Sequence, residues 1–177
     1  YRQPIILKED LKSFSVKRFN ESNKPKIIIA GMVRKLECFM DQNGEYVAGK
    51  STTIVIPINV NIKVMLAILN SKLMTYLYKN MYKSLSLSGG YMRVGKPQIK
   101  NLPMKDVSKT SQQQLIRLVN QTNKLHKEFI KLRNKKTNQR DKIEEQIAQI
   151  DNEIDNIIFE VYNISKEEKK IIEYSIE

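Results

Sequence analysis

Seven basic side chains in this sequence have the types and placement to engage a polyanion: Arg34, Lys35, Lys50, Lys83, Arg93, Lys96 and Lys100. They fall at strand edges and loops of the local pattern, off the apolar face of the helix expected after Ile62. An ammonium on a long stem serves a phosphate as a point charge, which suits Lys50, Lys83, Lys96 and Lys100. A planar guanidinium can bond guanine at two atoms in the major groove, which suits Arg34 and Arg93 as base readers. Lys35 and Tyr91 are the neighbouring candidates. Tyr82 and Tyr91 flank a small, polar, flexible loop, Ser84 to Gly90, with Lys83 before it and Arg93 after it. Small residues let a phosphate backbone come close, and their N–H groups can bond it. The competing reading is an ordinary loop on a basic protein.

Other chemistries lack their parts. With six glycines there is no Gly-x-Gly-x-x-Gly run, no P-loop and no Gly-x-Ser-x-Gly elbow. A single histidine (His126) and a single cysteine (Cys38) exclude a catalytic triad, a zinc deaminase centre, an internal disulfide and a Cys-based zinc site. His126 reads as a surface residue of a charged helix. Metal-dependent nucleases need two or three converging carboxylates. The first 109 residues hold only Glu9, Asp10, Glu21, Glu37, Asp41, Glu45 and Asp106. Glu37 and Asp41 read as solvated charges on a hairpin arm. No catalytic residue, metal or cofactor is expected in this chain.

The elements that would position the basic residues come with a division of charge. Tyr1 to Lys109 carries 19 Lys+Arg against 7 Asp+Glu, and Thr110 to Glu177 carries 12 against 12; together these give the 31 and 19 of the whole chain. The entire +12 excess therefore lies in the first part, where it favours a polyanion through counterion release. Residues 1–23 read as a linker or N-terminal extension with one short element, 24–109 as the DNA-facing body, and 110–177 as a helical spacer or dimerisation region.

Within the body, Ile27-Ile28-Ile29-Ala30 reads as a buried strand and Gly31 as a bulge or kink. Met32 to Met40 continues it or forms a second strand. Asp41-Gln42-Asn43-Gly44 is a hairpin signal, with Tyr46 to Ala48 and Ser51 to Ile58 as return strands. Apolar residues at 62, 65, 66, 69, 73, 76, 77 and 81 predict one amphipathic helix of about five turns. Tyr91 to Val94 reads as a short strand and Ile99 to Met104 as an extended exit.

After Ser111 the period changes to heptads. Leu115, Leu118, Thr122, Leu125, Phe129 and Leu132 form one seam; Ile143, Ile147, Ile150, Ile154, Ile157 and Val161 form another. Two arrangements fit: an antiparallel hairpin turning near Lys135 to Gln139, or one long helix with a stutter between the seams. Equal seams able to bury each other favour the hairpin. A last helix starts at Ser165, with Glu168 completing a capping box. The fold class is thus α+β: a small mixed β-sheet domain with a packed amphipathic helix, then a coiled-coil-like helical hairpin.

No run is long and apolar enough to span a bilayer, no signal peptide is expected, and the cysteine usage suits the cytoplasm. The start at Tyr1 reads as mid-protein sequence, so a C-terminal fragment of a larger protein is expected.

Several of these segments, taken in order, resemble one family. Lys26-Ile-Ile-Ile-Ala-Gly-Met-Val-Arg-Lys35, the hairpin, Leu69-Asn70-Ser71-Lys72-Leu73 and Asn101-Leu102-Pro103 are similar to the TaqI-like C-terminal specificity domain. The ending from Ile150 to Glu168 is similar to the tail of such proteins, with Asn163 where Gly is usual; Asn also tolerates positive φ there. The resemblance covers about residues 24–175. It implies DNA target recognition for an adenine-specific methyltransferase or a fused type II restriction-modification enzyme with an endonuclease. It also implies S-adenosylmethionine in a catalytic part outside this chain, and an Asn/Asp-Pro-Pro-Tyr motif there. The partners implied are double-stranded DNA and the methyltransferase domain or subunit, with a homodimer through the helical region as a further possibility. The alternative function is a coiled-coil dimerisation or docking module with nonspecific nucleic-acid affinity. An RNA-binding module is disfavoured by the absence of a stacking-aromatic motif.

Overall fold

The computed structural model describes residues 16–49, 51–132 and 138–176. A short helix, α1 (Val16–Ser22), leads into β1 (Lys26–Ala30), the centre of a three-stranded antiparallel sheet flanked by β3 (Cys38–Asp41) and β4 (Thr52–Val55). The β-branched run suits that position. Ile27 and Ile29 point inward and are fully buried, while Ile28 lies between Phe39 and Ile54 on the other face. At Gly31 the chain leaves this sheet for a second one, in which β2 (Met32–Val33) pairs antiparallel with β5 (Met92–Arg93). Glycine is needed at the crossing, because a Cβ there would run into the carbonyl oxygen of Ser51.

The α+β class stands, but both sheets are antiparallel rather than mixed. The Asn43-Gly44 turn also does a different job from the one expected. Gly44 has φ +70°, as such a turn needs, yet β3 and β4 do not pair with each other; they take opposite edges of β1. The cause is Asp41. Its carboxylate accepts from the backbone N–H of Glu45 (2.9 Å) and Tyr46 (3.0 Å), and it pairs with the Lys26 ammonium, which also donates to the Ser22 carbonyl at 2.6 Å. That cluster turns the chain off the edge of β3, and residues 46–48 form no strand. Asp41 is therefore a buried structural carboxylate, not a solvated charge on a hairpin arm.

The single helix expected over 62–82 is two: α2 (Ile62–Asn70) and α3 (Lys72–Met81). Ser71 breaks it with φ −67° and ψ 154°. One hydroxyl serves both ends, donating to the Ile68 carbonyl (2.7 Å) and accepting from the Met74 N–H (3.2 Å). The break rotates the apolar face, so the buried positions are 64 and 66–69, then 73–75 and 78. The expected extended exit also differs: Lys96–Lys100 is a short helix, α4, with Pro97 in its first turn, and the extended chain begins only after Asn101.

Helices α5 (Lys109–Lys131) and α6 (Asn138–Val161) lie antiparallel, with the Arg140 guanidinium 4.5 Å from the centre of the Phe129 ring. The hairpin arrangement holds; of the turn expected near 135–139, residues 135–137 lie outside the described residues, and Asn138 and Gln139 already belong to α6. Asn163 takes φ +55° and ends α6. The capping box of Ser165 and Glu168 then starts α7 (Lys166–Tyr174) as expected. The seam residues Leu115, Leu118, Ile143 and Ile154 are buried, but so are Val119, Ile158 and Phe159 beside them. The second buried face exists because α2 packs on α5, while α3 packs on α6 and α7. One apolar core therefore runs from Ile27 and Ile29 through α2 and α3 to Ile158 and Ile172.

The Lys26–Asp41 pair gives a stability test. Burial raises the Asp41 carboxyl, but the hydrogen bonds from Lys26, Glu45 and Tyr46 and the Lys26 charge outweigh it, and the group sits below its ordinary 3.8. Its contribution is present above pH 3.8 and is lost as pH falls through the lowered native value. Lys26→Met leaves a buried carboxylate without its cation, a loss of about 3–5 kcal/mol in urea unfolding at pH 7. That deficit should shrink in acid. A deficit unchanged down to pH 2 would assign the loss to packing instead.

Candidate nucleic-acid interface

The β2–β5 pair is a two-stranded ribbon with two different faces. Met32 stands opposite Arg93 and Val33 opposite Met92. Val33 and Met92 are buried, while Met32 and Arg93 are exposed. One step further along the register brings Arg34 beside Tyr91, with the guanidinium 4.8 Å from the centre of the ring. Alternation thus displays Met32, Arg93, Arg34 and Tyr91 on one outward surface. The ribbon is extended by the loop that precedes it. Leu87 donates to the Tyr91 carbonyl at 2.6 Å, Ser86 bridges to Met92, and Val94 donates to the Gly31 carbonyl at 2.9 Å. Gly89 and Gly90 supply positive φ within that loop, and Lys83 stands exposed in the short 3-10 turn that begins it.

A two-residue ribbon has little stability of its own. Here helix α3 holds it, through three hydroxyls spaced three and four residues apart. The Thr75 Oγ1 accepts from the Leu36 N–H at 3.1 Å. The Tyr78 hydroxyl donates to the Arg93 carbonyl at 2.7 Å, and that of Tyr82 to the Gln98 carbonyl at 3.2 Å. These three anchor points belong to the segments that carry Arg34 and Lys35, Arg93, and Lys96 and Lys100. Tyr78 is fully buried and packs against Tyr82 with ring centres 4.9 Å apart. The apolar positions read from the sequence over 62–81 include neither 75 nor 78, and Tyr82 reads there only as flanking the Ser84 to Gly90 loop. The available signal was a hydroxyl stripe at helical spacing, since a buried phenol must find a partner.

The sequence candidates fall into three groups. Arg34, Tyr91 and Arg93 come together on the ribbon. Lys96 and Lys100 stand exposed on α4, beside an apolar groove of about 230 Å³ between that helix and β4. Lys35 turns elsewhere, close enough to α6 to act electrostatically on Asp151, together with His126 and Lys72. Burial raises the Asp151 carboxyl, and the interactions with His126, Lys35 and Lys72 oppose the rise. Lys50 lies outside the described residues. Among the described residues neither Arg34 nor Arg93 has a carboxylate partner, and no group of three His, Cys, Asp or Glu could hold a metal ion. No described helix is long and apolar enough to cross a membrane.

Of the segments that carried the family resemblance, the run Lys26 to Lys35 forms β1 and the ribbon strand β2, while the others lie away from this surface, at the joint between body and hairpin. Asp155 of α6 accepts from the backbone N–H of Lys72 at 2.8 Å, at the first turn of α3, and its other oxygen lies 3.5 Å from the Lys72 ammonium. That ammonium donates to Asn152 at 2.9 Å. Asn70 pairs through its side-chain amide with both the N–H (2.8 Å) and the carbonyl (3.0 Å) of Cys38. Tyr162 donates to the Pro103 carbonyl at 2.9 Å and accepts from the Lys105 N–H at 3.1 Å.

The model of the TaqI-like C-terminal specificity domain matches residues 5–104, more than half of the chain. The chain belongs to that family, and DNA target recognition in restriction-modification is the role the family supports. The match ends before the helical hairpin. No curated protein matches the chain.

The hydroxyl stripe can be tested through Tyr78. Burial pushes its phenol up to about 12, from an ordinary 10. The stability it contributes is whole below pH 10 and is lost as pH rises toward 12. Tyr78→Phe keeps the ring and removes the bond to Arg93, at a cost of about 0.5–1.5 kcal/mol near pH 7. It should also flatten the fall of stability between pH 10 and 12. An unchanged alkaline profile in thermal unfolding would exclude Tyr78 as its source.

Proposed function

We propose that this member of the TaqI-like C-terminal specificity domain family reads a specific word in double-stranded DNA for an adenine-specific methyltransferase or fused restriction-modification enzyme. The observation that carries the reading is the outward surface of the β2–β5 ribbon. A two-stranded ribbon fits the major groove, whose base edges distinguish all four base pairs. Arg34 and Arg93 are its guanine readers, with Tyr91 fixing the plane of the Arg34 guanidinium. Lys83, Lys96 and Lys100 bond phosphates, and Lys50 is assigned with them from its sequence position. Lys35, directed toward α6, is kept as a phosphate contact at the edge of the surface.

The chain supplies no catalytic residues in this reading. S-adenosylmethionine and methyl transfer belong to a separate catalytic domain or subunit, as does any endonuclease. The hairpin of α5 and α6 acts as a coiled-coil-like spacer that sets the reader relative to that partner or to a second copy. A cytoplasmic setting fits the lone Cys38, whose thiol is pushed up to about 12 by burial and by the nearby Glu37 charge, and is thereby made inert. The alternative, a docking module with only nonspecific affinity, predicts equal binding to every duplex.

Selection of tight-binding duplexes from a random pool, at fixed salt, separates the two. A recovered word bound at least about a thousandfold more tightly than bulk DNA is expected. On that word Arg93→Ala should cost about 1–3 kcal/mol and change little on random DNA. Lys83→Ala should weaken both alike and reduce the salt slope by about one. A pool that yields no word would favour the docking module. Equal losses on both DNAs for Arg93→Ala would remove Arg93 from the readers.

A further inference from the structure

Met32 occupies a place on the ribbon that neither folding nor phosphate binding explains. It is 59% exposed, whereas the adjacent Val33 and the cross-strand neighbour Met92 are both buried beneath it. It stands directly opposite Arg93 and points to the same side. An apolar side chain left in water between the two exposed guanidinium residues, Arg93 and Arg34, gains nothing in the isolated chain. Singly exposed apolar residues are ordinary, and what sets Met32 apart is its place in the outward row with Arg93, Arg34 and Tyr91.

Resting on the ribbon reading, we infer that Met32 is a specificity determinant that contacts the C5 methyl of a pyrimidine next to the guanine bonded by Arg93. The only apolar group on the major-groove edge of unmodified DNA is the thymine methyl, and apolar side chains read it by contact. Spacing agrees. Side chains directly opposite on an antiparallel pair have Cβ atoms about 5 Å apart, and successive bases along a strand are about 3.4 Å apart. With Arg93 on one guanine, Met32 therefore falls on the neighbouring step or the one after. Methionine suits the task because an unbranched thioether adapts to an irregular apolar surface. Thymine and 5-methylcytosine present the same methyl, so the chemistry assigned is that of a 5-methylpyrimidine.

The test uses the whole chain and the word recovered from the random pool. Each thymine is replaced singly by deoxyuridine, which lacks only the methyl; each cytosine is replaced singly by 5-methylcytosine; each guanine is replaced singly by 7-deazaguanine, which lacks the N7 acceptor. One deoxyuridine, within two steps of a guanine whose 7-deaza form weakens binding, should cost about fourfold, the worth of one buried methyl. Met32→Ala should bind the thymine and uracil forms equally while remaining sensitive to 7-deazaguanine; Met32→Leu should keep the preference. If the gain instead appears with 5-methylcytosine at that step, the methyl belongs to a modified cytosine. Sensitivity to 7-deazaguanine without any response to a pyrimidine methyl overturns the role of Met32 and leaves the ribbon reading intact. Insensitivity to both overturns the two together.

Discussion

The interaction on which the structure depends is the capture of the α3 N-terminus by a carboxylate more than eighty residues away. The first N–H groups of a helix have no partner within it and carry the positive end of its dipole. The Ser71 hydroxyl satisfies one, at Met74, and Asp155 of α6 satisfies another, at Lys72. Burial raises the Asp155 carboxyl, and its neighbour Asp151 raises it further. The Lys72 N–H and ammonium oppose both, but the group remains above its ordinary value. That balance marks a position where a carboxylate is expensive and is kept for its geometry. It fixes where α3 begins and which way its faces point, and everything that hangs from α3 inherits that setting.

What hangs from α3 is the surface proposed to meet DNA. Thr75, Tyr78 and Tyr82 meet three backbone groups with fixed bond lengths, and those groups are the ends of the segments that bear the arginines and lysines. A bond to backbone sets the path of the chain without using the side chains it carries. The ribbon can therefore be held from beneath, on Val33 and Met92, while its outer row faces solvent. The same logic explains the Gly31 crossing. The strand must pass close to the Ser51 backbone to move from a sheet built for the core to a ribbon built for display.

Much of this was legible in the sequence because it rests on local rules. The run Ile27 to Ile29 reads as a strand from its β-branched residues, and Ser165 with Glu168 reads as a helix start. The two equal seams predicted their own pairing. Arg34, Tyr91 and Arg93 were picked from position and do come together. The misses share one cause: a side chain acting on distant backbone. Asp41 gathering Lys26, Glu45 and Tyr46 redirects a turn that Asn43-Gly44 alone would have closed into a hairpin. Ser71, hidden inside an apolar rhythm, divides a helix because its hydroxyl serves two ends at once. Lys35 looks like the twin of Arg34 in sequence, yet the chain bends at both residues after β2, and Lys35 comes close enough to α6 to act on Asp151.

Apart from the run that carries Met32 and Arg34, the residues that make the family recognisable are not those proposed to read DNA, and the contacts explain why. Asn70, Ser71 and Lys72 are tied to Cys38, Met74, Asp155 and Asn152; Pro103 is tied to Tyr162. Each is constrained by a partner in the same chain, and Ser71 and Asp155 are buried, so removing either side chain leaves a helix N–H unpaired at a cost of about 1–3 kcal/mol. The outer row of the ribbon carries no such debt. Arg34 meets Tyr91 across the ribbon, and Met32 meets Arg93, all of them at the surface. Replacing these four leaves the core, the joint and the α3 anchors untouched. A domain built this way can keep its shape while its outer row is exchanged, because the residues that hold the shape and the residues proposed to meet the base edges bond to different parts of the chain.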